Sequence, residues 1–243
     1  PMSANCNGGS NVGTLYINAE VEPFVAVNPG NPLHVVGAWQ QDRWSGGAAR
    51  AVMTAASFDG GLSWARTLQP FSRCAGGVGL SGDYERATDP WVDIAPAGTV
   101  HAMGLAVTGA AFTPGALSAM LASRSTDGGR RWSTPAVLVR DGPAFFHDKN
   151  ALTADTTDSR FVYAVWDRLD AAGNGPTMLA RSIDGGVSGE AARVIVTPVP
   201  ADGAAGISQT IGNRIVVRPD GGVVNVFVQI DTVNGQTARR LAI

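Results

Sequence analysis

Ser57-Phe58-Asp59-Gly60-Gly61-Leu62-Ser63-Trp64 recurs as Ser125-Thr126-Asp127-Gly128-Gly129-Arg130-Arg131-Trp132, and more loosely as Ser182-Ile183-Asp184-Gly185-Gly186-Val187-Ser188-Gly189. The shared pattern is S-x-D-G-G-x-x-W, with Gly189 standing where the first two copies carry Trp64 and Trp132. The three aspartates are 68 and 57 residues apart. Self-similarity at such a period marks a repeated supersecondary unit. Two consecutive glycines supply the positive φ of a tight hairpin turn, and the aspartate carboxylate can accept bonds from turn N–H groups. Asp59, Asp127 and Asp184, with Trp64 and Trp132, are therefore read as structural.

A second element keeps step with the first. Glu22-Pro23-Phe24-Val25 matches Asp89-Pro90-Trp91-Val92, then Asp148-Lys149-Asn150-Ala151 and Gly212-Asn213-Arg214-Ile215. It precedes the D-G-G by 37, 38 and 36 residues in the first three copies. Between the two elements lie runs of six to ten residues rich in Val, Ile, Phe and Trp, bounded by Gly, Pro, Asn and Asp, which read as strands. The unit is four antiparallel strands, and four-stranded units in tandem describe a β-propeller. The expected division is an N-terminal segment 1–20, units at 21–75, 76–145 and 146–205, and a truncated fourth at 206–243. Gly13–Asn18 reads as a strand closing the last blade.

Composition narrows the function classes. Charged residues make up 16% of the 243, against about 25% in ordinary soluble domains. The net charge is −2 and no Lys/Arg block exists, which argues against a nucleic-acid partner. Residues 94–123 carry no Asp, Glu, Lys or Arg, but His101 and several Gly and Pro interrupt them, so they read as two buried strands rather than a membrane span. No metal-ligand spacing is present. Gly77-Val78-Gly79-Leu80-Ser81-Gly82 matches a dinucleotide fingerprint but lies in a loop between units, outside the strand–helix context such a site needs. Cys6 and Cys74 form either a disulfide or two buried thiols.

The S-x-D-G-G-x-x-W copies resemble the Asp-box (BNR) repeats of sialidases and related propellers. The strings Val21–Pro29, Ala38–Trp44 and Gly82–Trp91 are similar to bacterial secreted sialidase-like proteins. The resemblance implies an all-β propeller of six blades, of which this chain carries about 3.5. It implies the remaining blades as partners, an extracellular or periplasmic location, a glycan ligand and no cofactor. A fourth Asp box would fall just past Ile243. Such an open arc exposes apolar blade faces, so the isolated chain is expected to aggregate or to melt broadly.

In a meander, alternate loops share a face, so the inner-strand starts and the loops between second and third strands meet at one mouth. That mouth collects Glu22, Asp42, Arg43, Asp83, Tyr84, Glu85, Arg86, Asp89, Asp148, Lys149, Asp167, Arg168 and Arg214. Sialidases hydrolyse glycosides with a Tyr nucleophile and clamp the substrate carboxylate with arginines. Carried over, the resemblance implies Asp42 as acid/base and Tyr84 as nucleophile, with Glu22 activating it. Arg43, Arg86, Arg168 and Arg214 would form the clamp, with Asp89, Asp148 and Lys149 also contacting substrate. Trp39 and Trp166 occupy matching places and suit either inter-blade packing or sugar stacking. Where active sialidases carry Arg-Ile-Pro, this chain has Val21-Glu22-Pro23. That departure supports an alternative function, a non-catalytic propeller binding glycan or protein.

Overall fold

Each S-x-D-G-G turn closes the hairpin between the third and fourth strands of an antiparallel meander. The structure, a computed structural model, describes residues 2, 6, 9 and 13–243; the rest of the N-terminal segment 1–20 lies outside the described residues. The first sheet holds β1 (Leu15–Asn28), β2 (Asn31–Trp44), β3 (Ala49–Ser57) and β4 (Ala65–Leu68). The second holds β5 (Arg86–Ile94), β6 (Val100–Thr108), β7 (Leu117–Ser125) and β8 (Ala136–Asp141), and one β3–β5 pair, Ala49↔Ala87, joins it to the first in a single hydrogen-bonded network. The third holds β9 (Phe145–Ala154), β10 (Val162–Asp170), β11 (Thr177–Ser182) and β12 (Arg193–Val196). A three-stranded fourth follows: β13 (Ile207–Val217), β14 (Val223–Val233) and β15 (Gln236–Ala242). The β14–β15 hairpin turns on Asn234-Gly235, both at positive φ as a two-residue primed turn requires.

The sheets stack face to face. Val36 and Ala56 of the first meet Val92, Val100 and Ala102 of the second. Met103 and Leu105 of the second meet Leu152, Val162, Ala164 and Trp166 of the third. Tyr163, Val165 and Leu179 of the third meet Ile215 of the fourth. Each large apolar side chain so buried contributes about 1.5–3 kcal/mol, so the alternation along each strand fixes which face meets its neighbour. At the two ends of the series Val25, Val27 and Leu241 are more than half exposed. Residues 94–123 hold the end of β5, β6 and most of β7, with the turns between them. No helix among the described residues is long and apolar enough to cross a membrane.

Two expectations change, and one of two alternatives is settled. Gly13–Asn18 does not form a separate closing strand: β1 starts at Leu15 and pairs with β2 from Leu15↔Trp44 onward. Trp166 is fully buried and donates to His147 Nδ1 at 3.0 Å, so it packs between sheets and offers no sugar platform. The third copy of the inner-strand element is shifted by one residue. Each inner strand bulges at a residue with positive φ: Glu22 (52°), Asp89 (51°), Lys149 (45°) and Gly212 (66°). Lys149, and not Asp148, therefore stands in the place of Glu22 and Asp89.

The loop before the second sheet is tied down by a Cys6–Cys74 disulfide, with Cα atoms 5.4 Å apart. A side chain on Gly77 would collide with the Gly82 carbonyl, and one on Gly82 with that of Pro70. These glycines serve close backbone approach within the loop.

Candidate active site

A bulge adds one residue to a strand and re-aims the side chain it carries. Non-glycine residues at positive φ cost on the order of 1 kcal/mol and concentrate at functional positions. Here three consecutive inner strands spend that strain on ionisable residues, and the three side chains converge. Lys149 Nζ lies 3.4 Å from Glu22 Oε1 and 3.7 Å from Asp89 Oδ2. Asp89 Oδ2 also accepts the Lys149 backbone N–H at 3.2 Å, and Thr88 Oγ1 donates to Asp89 Oδ1 at 2.9 Å. Gln40 Nε2 donates to Glu22 Oε2 at 2.5 Å.

The two carboxyls are pushed apart in acidity. Burial raises Asp89 to about 6, because desolvation together with the neighbouring Asp148 and Glu22 charges outweighs the Lys149 ammonium. Burial also works to raise Glu22. There, however, the Lys149 charge and hydrogen bonding from Asp89, Gln40 and Lys149 prevail, and the carboxyl sits below its ordinary 4.5. Lys149 is held above its ordinary value: burial opposes its charge, but Asp89, Glu22 and Asp148 more than compensate. Asp148 is raised by burial. Its cross-strand partner Asp167 is fully buried, and neither carboxyl oxygen has a hydrogen-bond partner among the described residues. Burial, then the Asp148 charge, pushes Asp167 well above the carboxylate range. The cluster thus combines one ionised carboxylate, one ammonium and carboxyls that hold protons.

A cavity of about 770 Å³ opens over this cluster, and its lining includes Glu22, Asp89, Asp148, Lys149, Arg43 and Arg86. Arg86 donates to the carbonyls of Gly47 and Gly109 at 2.6 and 2.7 Å, and its buried Nε has no partner among the described residues. Burial and the nearby Arg43 charge, against Glu85, lower its pKa from the ordinary value. Arg43 Nη1 donates to the Ala48 carbonyl at 2.9 Å. Beside the cluster Phe24 and Trp91 stack with ring centroids 3.6 Å apart, and the Arg214 guanidinium lies 4.1 Å over the Trp91 ring. Phe24, Trp91 and Arg214 occupy one repeat position, two residues after the bulge in their sheets. The sequence showed that match but not that the residues would meet.

Other candidates stand apart. Tyr84 is 3% exposed, packed with Val52, Phe71 and Leu121, and burial raises its hydroxyl above the ordinary value. That is the opposite of an activated nucleophile. It lies in the connection between sheets, whose Phe71 and Tyr84 fill the inter-sheet core. Asp42 is buried against Arg50 at 3.3 Å and accepts the Asn18 N–H at 2.9 Å, which suits holding β1 against β2. Arg168 is bound by both oxygens of Asp141, at 2.7 and 3.1 Å, and stacks on Phe145. It is committed to an ion pair between the second and third sheets rather than to a clamp.

The repeated turns share one geometry. Ser57, Ser125 and Ser182 each accept a glycine N–H at 2.8 Å and donate to Asp59, Asp127 and Asp184 at 2.8, 2.9 and 2.8 Å. Each aspartate accepts a backbone N–H four residues on at 2.9 Å. These bonds hold all three carboxyls at about 2: Ser63 leads for Asp59, the Arg131 N–H for Asp127 and Ser188 for Asp184. Trp64 Nε1 donates back to Gly61 O at 2.9 Å, whereas Trp132 packs on the cluster between the first two sheets. Among the described residues no group of three or more His, Cys, Asp or Glu is arranged to hold a metal.

No protein-family model matches the chain, and no curated protein matches it by sequence. Solved structures do. A Hadza microbial sialidase superposes with a TM-score of 0.59 at 18% identity, covering 92% of this chain and 44% of its own. An α-L-arabinofuranosidase from Fusarium graminearum gives 0.62 at 12%, covering 92% and 62%. An α-L-arabinanase from Penicillium chrysogenum gives 0.59 at 14%, covering 94% and 64%. The chain spans between 44% and 64% of the length of these proteins. At such identities the likeness is one of fold: an all-β, propeller-like stack of four-stranded sheets.

Proposed function

We propose that the chain is part of a secreted, Asp-box propeller glycoside hydrolase that acts on terminal acidic sugars at the Glu22–Asp89–Lys149 cluster. The observation that carries the reading is the split between two neighbouring carboxyls: Asp89 keeps its proton to about pH 6 while Glu22 is ionised. Glycoside hydrolysis needs a protonated acid at the leaving oxygen and a carboxylate for the oxocarbenium-like centre or its water. In this reading Asp89 is the proton donor and Glu22 the carboxylate, with Lys149 holding Glu22 ionised. Arg43 takes the sugar's anionic group, and the Phe24–Trp91 stack lines the adjoining cavity with Glu22, Asp89 and Lys149. The sialidase and arabinanase folds support the reaction class. The Cys6–Cys74 bridge supports an oxidising compartment. The test is a pH–rate profile on an acidic-sugar reporter, expected to lose kcat as pH rises through about 6.

A second reading is a non-catalytic glycan-binding propeller. It is favoured by the burial of Tyr84 and by Lys149 touching both carboxylates, which satisfies them without a substrate. Glycan binding that survives Asp89→Asn unchanged, with no hydrolysis by the parent chain, selects it.

A further inference from the structure

The repeat leaves a hole where one of its own residues is missing. In the second sheet Trp132 packs against the cluster that holds Val92, Val100 and Ala102 at the boundary with the first. Strand registers place Leu152, Val162 and Ala164 of the third sheet at the same positions: Val92 pairs with Ala102, and Leu152 with Ala164. The residue due to cover them is Gly189. Instead, Leu152, Val162 and Ala164 line a cavity of about 380 Å³ between the second and third sheets, with Gly189 at its edge. A Cβ placed on Gly189 would meet only Leu138, 4.0 Å away and itself part of the lining. For scale, an apolar cavity of about 150 Å³ takes up benzene, and ligand pockets begin near 300 Å³.

Two polar atoms in the wall wait for a partner. His101 and Ser123 line the cavity, are 3% and 5% exposed, and His101 Nε2 and Ser123 Oγ have no hydrogen bond among the described residues. The preceding boundary shows what is lost. There His34, in the place of His101, is bonded on both nitrogens, to Asn28 at 3.0 Å and to the Gly128 carbonyl at 2.9 Å. Ala95 replaces Asn28 in the second copy, which removes the Nδ1 partner, and at Nε2 no bond like that to the Gly128 carbonyl forms among the described residues. A buried polar atom left unpaired costs about 1–3 kcal/mol, so an occupant able to bond it gains where a purely apolar one does not.

We propose that this inter-sheet cavity is a binding site for a small planar heteroaromatic molecule, of the size of the missing indole and with one ring N–H or hydroxyl to reach His101 Nε2 or Ser123 Oγ. The site is separate from the carboxylate cluster and does not depend on the glycosidase reading. Calorimetric titration of the full chain with indole tests it. The expected result is one-to-one binding that is lost in Gly189→Trp, which fills the cavity, and in Ala180→Leu, which narrows it should the Trp variant misfold. 1-Methylindole, lacking the N–H, should bind about three- to tenfold more weakly. Absence of indole binding up to its solubility overturns the proposal. So does equal binding by the folded filled variants, or equal affinity for 1-methylindole.

Discussion

Lys149 Nζ stands 3.4 Å from Glu22 Oε1 although the two residues are 127 positions apart in sequence. The contact exists because each sits at the bulge of its inner strand, two sheets apart in the stack. Asp89, from the sheet between them, is the third member. If Lys149 keeps the two acids apart in acidity, Lys149→Ala should raise both carboxyls, since a nearby cation lowers a carboxyl by about 1–3 units. Carbon-detected NMR titration of the Glu22 and Asp89 carboxyls reads this directly. The expected outcome is an upward move of at least about one unit at each.

Asp89 also sets a stability trend. Its folded value of about 6 lies above the unfolded 3.8, so the folded state binds more protons between those limits. Stability contributed by the protonated form is full below about 4 and is lost as pH rises through about 6. Asp89→Asn should therefore be more stable than the parent at pH 8, by on the order of 2 kcal/mol, and show no advantage at pH 4. Urea unfolding at the two pH values measures the difference.

Ser125 is buried and its Oγ both accepts the Gly129 N–H and donates to Asp127. Ser125→Ala leaves a buried N–H without its acceptor, at a cost of about 1–3 kcal/mol. The Asp127 carboxyl should also rise from about 2, since one of the bonds that lower it is gone. A urea midpoint and an NMR titration of Asp127 give the two readouts.

The Cys6–Cys74 bridge joins residues 68 apart. In the loop-entropy view, opening it costs about 4 kcal/mol. Cys6→Ser should lower the thermal midpoint, and reductant should lower the parent's midpoint without altering that of the variant. Differential scanning calorimetry with and without reductant checks both.

The repeat was legible because it rests on local turn chemistry: two glycines, an aspartate and a serine suffice to specify the hairpin wherever they occur. The strand order followed from it. The site was half legible. Glu22, Asp89, Lys149, Arg43 and Arg86 were visible as charges at loop positions, but their meeting depends on bulges, whose positive φ at Glu22, Asp89 and Lys149 leaves no sequence signature. The one-residue slip of the third copy came from the same cause, because Asp148 and Lys149 both look like candidates until the bulge is located. Tyr84 was misleading because a neighbourhood rich in charges, Asp83 and Glu85-Arg86, says nothing of a residue pointing the other way in an extended segment. Its ring packs with Val52 and Phe71, whereas Asp83 reaches out to Arg73 at 2.6 Å. The stacked pair Phe24–Trp91 was present as a repeat position without a reason to single it out.

The most direct measurement is hydrolysis of a panel of 4-methylumbelliferyl glycosides, acidic and neutral, by the full chain and by Asp89→Asn. The account predicts turnover of an acidic-sugar reporter, falling as pH rises through about 6, and a loss of about 100-fold or more in kcat in the variant with its fold intact. A folded parent chain that hydrolyses none of the panel, or an Asp89→Asn variant as active as the parent, would contradict it.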